Sequence, residues 1–447
     1  MTIQAPMSNN ATFSSLLADV RDRYAERRPR SRAAMARSAA YMPGGNTRSV
    51  LYFPPFPIFA ERSAGCRLWD IDGHSYVDFL CEYTAGLAGH DHPAIRAAVE
   101  GVLARGWVNG AQTEMEGRFA AALCERFPSV ERIRFCNSGT EANLMALTTA
   151  RVLTGRPAIM AFKGAYHGGV LLFKNGPAPQ NAPFETVLAD YNDIDATRRL
   201  IGEHAARLAA VIIEPLMGSS GGIPATPGFL RMLREECTRH GVMLVFDEVM
   251  TSRLAPGGLQ EKHAISPDLT TLGKYVGGGF SFGAFGGRAD IMDRYDPSRP
   301  DALAHAGTFN NNPFTMAAGL AAMTEIYTPE RAIALNQSGD RLRQRLQALV
   351  SERELPLAFA GMGSMMAVHV ASGAVTTPAD SRADAEAMAA KDLIHLELIE
   401  RGFYTARRGM IVLSLPMTAT EHDGLVTAYA DILDAYAPAF RRSFSAT

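Results

Sequence analysis

The sequence predicts an α/β fold, with a mostly parallel central sheet covered by helices on both faces and a smaller α+β domain beside it. Three short runs are entirely apolar, at residues 158–162, 209–213 and 242–246, and helical stretches such as residues 229–240 separate them. Continuous apolar strands that alternate with helices are typical of a parallel sheet buried on both faces. Ligands of such sheets bind beyond the carboxyl ends of the strands.

The alternation of strands and helices divides the chain into three predicted parts. Residues 1–80 are expected to contain polar helices, a turn-rich loop and a hairpin whose turn is Asp72-Gly73. Residues 81–325 carry the apolar strands and form the predicted large, ligand-binding domain. Residues 326–447 contain a long helix, a strand-like segment and a final helix. We expect them to form the small α+β domain together with the N-terminal hairpin.

Composition and charge exclude several classes of function. The 447 residues carry 44 basic and 46 acidic side chains, so the net charge of −2 gives no general attraction to nucleic acid or membranes. No apolar run reaches the roughly 20 residues that a membrane-spanning helix needs. The five cysteines are scattered without metal-ligand spacing, which predicts free thiols in a reducing cytoplasm and no metal site. The arginine-rich stretch 21–37 is predicted to be a solvated helix face.

Lys274 is the first candidate for a chemical role. Only five of the 44 basic residues are lysines, and arginine can replace lysine for surface charge but not for Schiff-base chemistry. Lys274 follows a short apolar run and closely precedes the three glycines at 277–279. This context predicts a reactive amine at a strand end, beside a ligand that approaches the backbone closely.

A carboxylate at the end of a neighbouring strand is the second candidate. Residues 244–249 read LVFDEV, so Asp247 and Glu248 end a buried apolar run. Because side chains alternate between the faces of a strand, we expect only Asp247 to face the ligand. A reactive amine, together with a buried acid that keeps a ring nitrogen protonated, indicates a pyridoxal 5'-phosphate (PLP) site.

A turn that opens a helix is the predicted phosphate site. The chain runs from a strand into Ser138, Gly139 and Thr140, and then into a helix. Unpaired amides and the positive end of the helix dipole favour a dianion there, and the two hydroxyls add donors. An ordinary helix N-cap has the same pattern, so this prediction depends on the other parts of the PLP site.

Two further residues are candidates for contacts with the cofactor. Tyr166 lies between glycines in residues 163–168, where an aromatic ring can lie flat on a planar ligand. A role in the core or in a loop is the alternative for this tyrosine. Thr308, in the turn-rich residues 307–313, is a candidate donor to the phosphate.

Two arginines are candidates for binding a substrate carboxylate. Arg48 follows a Pro-Gly-Gly turn, and the pair Arg407-Arg408 precedes an apolar strand at residues 411–415. A guanidinium group can bind a carboxylate through two parallel hydrogen bonds. In a chain this rich in arginine, a surface position is the alternative for each of them.

With these residues in place, the chain resembles the fold type I PLP enzymes of the class III (ω) aminotransferase family over essentially its full length. Four motifs stand in the order typical of that family: NSGTEA at 137–142, YHG at 166–168, FDEV at 246–249 and LGKYVGGG at 272–279. The resemblance implies a PLP-dependent transferase fold of type I and an aminotransferase activity.

Shorter stretches are similar to two branches of the family. MPGG at 42–45 and GTF at 307–309 resemble the glutamate-1-semialdehyde aminomutases. NTRSVL at 46–51 and EYTAG at 82–86 are similar to bacterial β-phenylalanine aminotransferases, and this second likeness is the closer of the two.

The resemblance implies a role for each cofactor-binding residue. Lys274 would hold PLP covalently and act as the catalytic proton carrier, and Asp247 would pair with the ring nitrogen. Tyr166 and Val249 would lie on opposite faces of the ring. The phosphate would be bound by Ser138, Gly139 and Thr140, with Thr308 supplied by the partner subunit of a homodimer with shared active sites.

For the substrates, the resemblance implies two separate contacts. Arg48 would bind the substrate carboxylate, and Arg408 would be a mobile second contact for a carboxylate or polar group. Val50 and Tyr83 would help to line the pocket. The expected reaction transfers the amino group of an aromatic β-amino acid to 2-oxoglutarate or pyruvate by a ping-pong mechanism.

Alternatives within and outside this activity stay open at this point. An isomerase of the glutamate-1-semialdehyde 2,1-aminomutase type is one, although residues 404–409 are basic where the aminomutases have an acidic gating residue. An ω-aminotransferase for another amine or for an α-amino acid is a second. A catalytically silent PLP-fold binding protein is a remote third, because both Lys274 and Asp247 are present.

Overall fold

A computed structural model describes residues 12–174 and 176–444. Within them, the central sheet has seven strands in the order β4-β12-β11-β10-β7-β5-β6. The pairs β11/β10, β10/β7, β7/β5 and β5/β6 are parallel, and β12 runs antiparallel to both of its neighbours. The strands of the described residues are β1 Ala60–Ala64, β2 Arg67–Asp70, β3 Ser75–Asp78, β4 Arg132–Cys136, β5 Ala158–Phe162, β6 Glu185–Ala189, β7 Leu208–Ile213, β8 Leu216–Met217, β9 Ile223–Pro224, β10 Met243–Asp247, β11 Leu269–Gly273, β12 Gly283–Gly287, β13 Leu357–Met362, β14 Met365–Val370, β15 Phe403–Tyr404 and β16 Met410–Val412.

Helices pack on both faces of this sheet, so the predicted α/β class with a mostly parallel sheet is confirmed. No helix in the described residues is long and apolar enough to span a membrane. The helices of the same residues are α1 Phe13–Arg27, α2 Pro29–Ala39, α3 Pro93–Leu103, α4 Glu114–Arg126, α5 Gly139–Thr154, α6 Ile194–His204, α7 Pro227–His240, α8 Gly258–His263, α9 Ala289–Met292, α10 Pro313–Ala321, α11 Pro329–Glu352, α12 Ala385–Glu400 and α13 Ala419–Phe444.

The apolar runs of the sequence form the interior of the sheet. Every residue of β5 and β7 is buried, as expected for strands covered on both faces. The helices begin where polar side chains can bind their first amides, as Ser138 does for α5 and Thr226 does for α7. Both helices end at a glycine in the left-handed conformation, Gly155 and Gly241.

One strand of the central sheet consists largely of glycine and has no apolar signal in the sequence. In β12, a Cβ atom on Gly283 would lie 2.1 Å from the carbonyl oxygen of Ser138, and one on Gly287 would lie 2.2 Å from that of Asp268. Side chains would therefore prevent this strand from packing between β4 and β11. The absence of a side chain at Gly283 lets the Ser138 turn lie close to the end of β11.

A second sheet joins the two ends of the chain. Its order is β1-β2-β3-β15, with the predicted hairpin β2-β3 antiparallel and β15 parallel to β3. Helix α1 packs along α12. The N-terminal residues are thus held against the C-terminal part of the chain.

The prediction for the arginine-rich stretch 21–37 is wrong in one important respect. Arg28 is fully buried between the rings of Tyr24 and Tyr76, and it forms an ion pair with Glu400 of α12. Arg27 pairs with the same glutamate. The acids that neutralise this stretch are distant in sequence, which is why the local pattern resembled a solvated face.

Candidate active site

Three strand ends meet at one edge of the central sheet. Strands β4 and β11 are both antiparallel to β12, and β10 is parallel to β11, so all three run in the same direction. Asp247 is the last residue of β10, and Lys274 directly follows β11. The predicted amine, acid and phosphate turn are therefore brought to the same edge, as expected for an α/β sheet.

Lys274 is held in a strained backbone conformation. Its φ angle is +56°, in the left-handed region, which costs a residue with a side chain about 1–2 kcal/mol. Burial lowers the pKa of its amine, and the charges of Arg48 and Arg408 lower that pKa further while Asp247 raises it. The neutral, nucleophilic amine is therefore favoured at a lower pH than in a free lysine.

Asp247 is almost completely buried and bonded on both oxygens. Its Oδ2 accepts hydrogen bonds from Asn143 Nδ2 and His167 Nδ1, each at 2.8 Å, and its Oδ1 accepts one from the Val249 amide at 3.1 Å. These donors orient the carboxylate. The other ring nitrogen of the histidine, Nε2, is buried and has no hydrogen-bond partner among the described residues.

The adjacent Glu248 carboxylate lies in a different environment from that of Asp247. Its carboxylate accepts hydrogen bonds from the amides of Leu259 at 3.0 Å and Gln260 at 2.8 Å, and from the Thr251 hydroxyl at 2.7 Å. Glu248 thus binds the start of α8, and burial raises its pKa. Of the two adjacent acids, Asp247 is the one that shares the edge with Lys274.

The Ser138 turn opens a helix of 16 residues, α5. Ser138 Oγ accepts the amide of Glu141 at 3.1 Å, and Thr140 Oγ1 accepts the amide of Gly169 at 3.2 Å. A Cβ atom on Gly139 would lie 2.9 Å from both methyl groups of Val249. This glycine therefore lets the turn approach Val249 closely, and the first amides of α5 have no partner within the helix.

Tyr166 and Thr308 both lie at exposed positions. Tyr166 is 42% exposed as a residue, although its amide donates to buried Glu214 Oε1 at 3.0 Å, so the loop is held in place while the residue is accessible to a ligand. Thr308 is exposed on a loop whose Asn310 accepts a hydrogen bond from Asn137 at 3.0 Å.

The predicted substrate residues form one connected group. Arg48 makes an ion pair with Glu82, and the Tyr83 hydroxyl donates to the carbonyl oxygen of Val50 at 2.8 Å. The guanidinium carbon of Arg408 lies 5.3 Å from the centre of the Tyr83 ring. The structure therefore brings the residues predicted to bind substrate around one tyrosine.

The two adjacent arginines at 407 and 408 have different surroundings. Arg407 binds both oxygens of Asp392 on α12, at 2.6 and 2.8 Å. Arg408 Nε is buried and has no hydrogen-bond partner in the described part of the chain. Arg407 is therefore engaged in structure, whereas Arg408 keeps donors available for a ligand.

Three residues that contact the predicted site residues were not found by sequence reasoning. Asn143 lies on α5 and binds Asp247, Glu214 follows β7, and Glu82 pairs with Arg48. Burial raises the pKa of Glu214, and the nearby charge of Asp247 raises it further. Of the three, only Asn143 had an available sequence signal, because its i to i+4 spacing from Gly139 places both on one helix face above the turn.

The arrangement fits PLP, part by part. The cofactor needs an amine for its aldehyde, an acid for its ring nitrogen, a flat surface for its ring and amides for its phosphate. Lys274, Asp247, Tyr166 and the amides at the start of α5 would provide these to a bound cofactor. The described residues contain no cluster of ligands suited to a metal ion.

Comparison with known proteins gives consistent matches. The family model Aminotransferase class-III matches residues 52–434. A β-phenylalanine transaminase from Variovorax paradoxus is 48% identical over 424 residues, which are 95% of this chain and 97% of that protein. A glutamate-1-semialdehyde 2,1-aminomutase from Exiguobacterium sibiricum is 40% identical over 78% of this chain and 83% of that protein.

Solved structures show the same likeness. The crystal structure of the β-phenylalanine aminotransferase from Variovorax paradoxus superposes with a TM-score of 0.93, over 95% of this chain and 98% of that one. An ω-transaminase from Sphaerobacter thermophilus, 38% identical, gives a TM-score of 0.85 over 90% of this chain and 97% of that one.

Proposed function

The chain belongs to the class III aminotransferases, which use PLP, and from this premise we propose that it transfers the amino group of an aromatic β-amino acid of the β-phenylalanine type to 2-oxoglutarate or pyruvate. The likeness to the β-phenylalanine transaminase from Variovorax paradoxus supports the choice of substrate, and the pair of arginines around Tyr83 supports a carboxylate in it. Arg48 and Arg408 both act electrostatically on Lys274, so a substrate carboxylate bound at either one lies near the reactive amine.

Each residue of the site then has a definite task. When bound, PLP supplies a ring that accepts the electron pair left on the substrate carbon after a proton departs. Lys274 Nζ takes that proton from the carbon bearing the nitrogen and later donates it, acting first as base and then as acid. Asp247, oriented by Asn143 and His167, holds the proton on the ring nitrogen.

The arginines determine where each substrate lies. Arg48 holds the carboxylate of the β-amino acid, and Arg408 binds a carboxylate of the keto acid and moves aside for an aromatic side chain. An aminomutase-type isomerase would need no second substrate. Arg408, whose Nε has no hydrogen-bond partner among the described residues, supports a site that binds an external keto acid, and we therefore do not propose isomerisation.

The expected result with wild-type enzyme is faster amino transfer from β-phenylalanine than from α-phenylalanine, measured as kcat/KM with 2-oxoglutarate. The Arg48→Met variant should raise the KM for β-phenylalanine by about 10- to 100-fold, because it removes charge-assisted hydrogen bonds to the carboxylate. The control substrate is 1-phenylethylamine, which is β-phenylalanine without its carboxylate, and its KM should change little. Equal or better use of α-phenylalanine would defeat the proposed β-selectivity.

We further propose that the active unit is a cytoplasmic homodimer, in which Thr308 of each subunit contacts the phosphate of the other. Thr308 and its neighbour Phe309 are exposed, as are Trp107 and Val108, which supports a covered surface in an assembly. The five free cysteines favour a reducing compartment.

Light scattering should give twice the mass of the chain. Thr308→Ala should weaken PLP retention, while Thr324→Ala, at an exposed helical position, should not. A monomer with full activity would contradict this proposal.

A further inference from the structure

The backbone of residues 81–84, which carries Glu82 and Tyr83, is unusual. Four consecutive residues without a glycine have positive φ angles, from Cys81 at +47° through Glu82 at +50° and Tyr83 at +51° to Thr84 at +83°. Side chains disfavour this left-handed region, and such segments persist only where their surroundings fix them. Strained segments of this kind are concentrated at ligand-binding sites.

Several bonds fix the backbone of this turn. Asp78 Oδ1 accepts the amides of Leu80 at 2.9 Å and Cys81 at 3.0 Å, and the Cys81 carbonyl oxygen accepts the amide of Gly86 at 2.9 Å. The hydroxyl of Tyr83 ties the same turn to the Arg48 segment through the carbonyl of Val50. The base of the Glu82 side chain therefore has a fixed position beside Arg48.

The Glu82 carboxylate and the Arg48 guanidinium are joined by a single contact. One oxygen, Oε1, meets one nitrogen, Nη1, and the side chains are 55% and 40% exposed. A second carboxylate that formed two parallel hydrogen bonds with the guanidinium would bind more strongly than this one. The Glu82 side chain can turn towards solvent without any movement of the fixed backbone.

We propose that Glu82 is the resting counter-ion of Arg48 and is displaced by the carboxylate of the substrate. The inference rests on the proposed function, in which Arg48 binds that carboxylate. Glu82 then weakens the binding of every carboxylate at Arg48 by the same factor. It also neutralises Arg48 when no carboxylate is bound there.

The test is the binding of 3-phenylpropanoate, a carboxylate without an amino group, to the unreacted holoenzyme by titration calorimetry. Glu82→Gln should lower its Kd roughly two- to five-fold, because an exposed pair of this type contributes little and its loss frees Arg48. In an Arg48→Met background, Glu82→Gln should have no effect. Glu185→Gln, which removes the exposed pair with Arg207, is the matched control and should leave the Kd unchanged.

The outcomes separate this inference from the function on which it rests. An Arg48→Met variant with an unchanged Kd would refute the role of Arg48 and, with it, both proposals. If Arg48→Met weakens binding but Glu82→Gln leaves the Kd unchanged or raises it, Glu82 orients Arg48 or is inert, and only the counter-ion role fails. Unchanged thermal unfolding of the Glu82→Gln variant, together with an unchanged KM for 1-phenylethylamine, supports an effect confined to carboxylates.

Discussion

Replacing Lys274 with alanine is expected to reduce kcat by roughly 10⁴-fold or more, since in the proposed mechanism this residue supplies both the covalent attachment and the proton carrier. The variant should fold normally, because Lys274 is only partly buried and its amine makes no hydrogen bond or ion pair with another described residue. Steady-state amino transfer from β-phenylalanine to 2-oxoglutarate is the measurement. Reduction with borohydride followed by mass spectrometry should attach the cofactor to wild-type protein and not to the variant.

Lys262→Ala is the control for this experiment. Lys262 is an exposed lysine on α8, and its loss should leave both the rate and the attachment unchanged. A Lys274→Ala protein with undiminished transaminase activity would remove the basis of the whole assignment. Attachment of the cofactor to another lysine in wild-type protein would do the same.

The second large effect is expected at Asp247. Asp247→Asn should lower kcat roughly 10²- to 10³-fold, the size usual when a buried group that stabilises transition-state charge is removed. Asparagine keeps the shape and can still bond to the Val249 amide, but it cannot hold a proton on the ring nitrogen as a charged partner does. Rapid-mixing measurement of proton removal from β-phenylalanine, with protonated and deuterated substrate, should place the loss in the step catalysed by Lys274.

Glu248→Gln provides a matched control one residue away. Glu248 accepts three hydrogen bonds at the start of α8, so its replacement should cost about 1–3 kcal/mol of folding free energy. The folded fraction should keep its kcat. If Asp247→Asn instead kept full kcat, or if Glu248→Gln lost as much kcat, the choice between the two acids would be wrong.

The sheet and the residues at its edge could be predicted because their signals are local. The strands at 158–162 and 242–246 are continuous apolar runs, and Asp247 and Lys274 directly end or follow such runs. The rules of parallel sheets then bring the strand ends together without further information. The catalytic roles of the two residues remain predictions.

The rest depends on contacts between distant parts of the chain. Positions 283 and 287 of β12 need glycine because the carbonyl groups of Ser138 and Asp268 leave no room for side chains there, and no local pattern of glycines shows that. The burial of Arg28 depends on Glu400, which lies at the far end of the sequence. Likewise, Glu82 reaches Arg48 only because Asp78 and Tyr83 fix a left-handed turn between them.

The most direct test of the central claim is the absorbance of holoenzyme mixed with β-phenylalanine in the absence of any keto acid. We expect the absorption band of the lysine-bound cofactor to disappear, with one equivalent of keto product per site, and to return when 2-oxoglutarate or pyruvate is added. Continued turnover without a keto acid would indicate an isomerase. No change of the band with β-phenylalanine would contradict the proposed substrate.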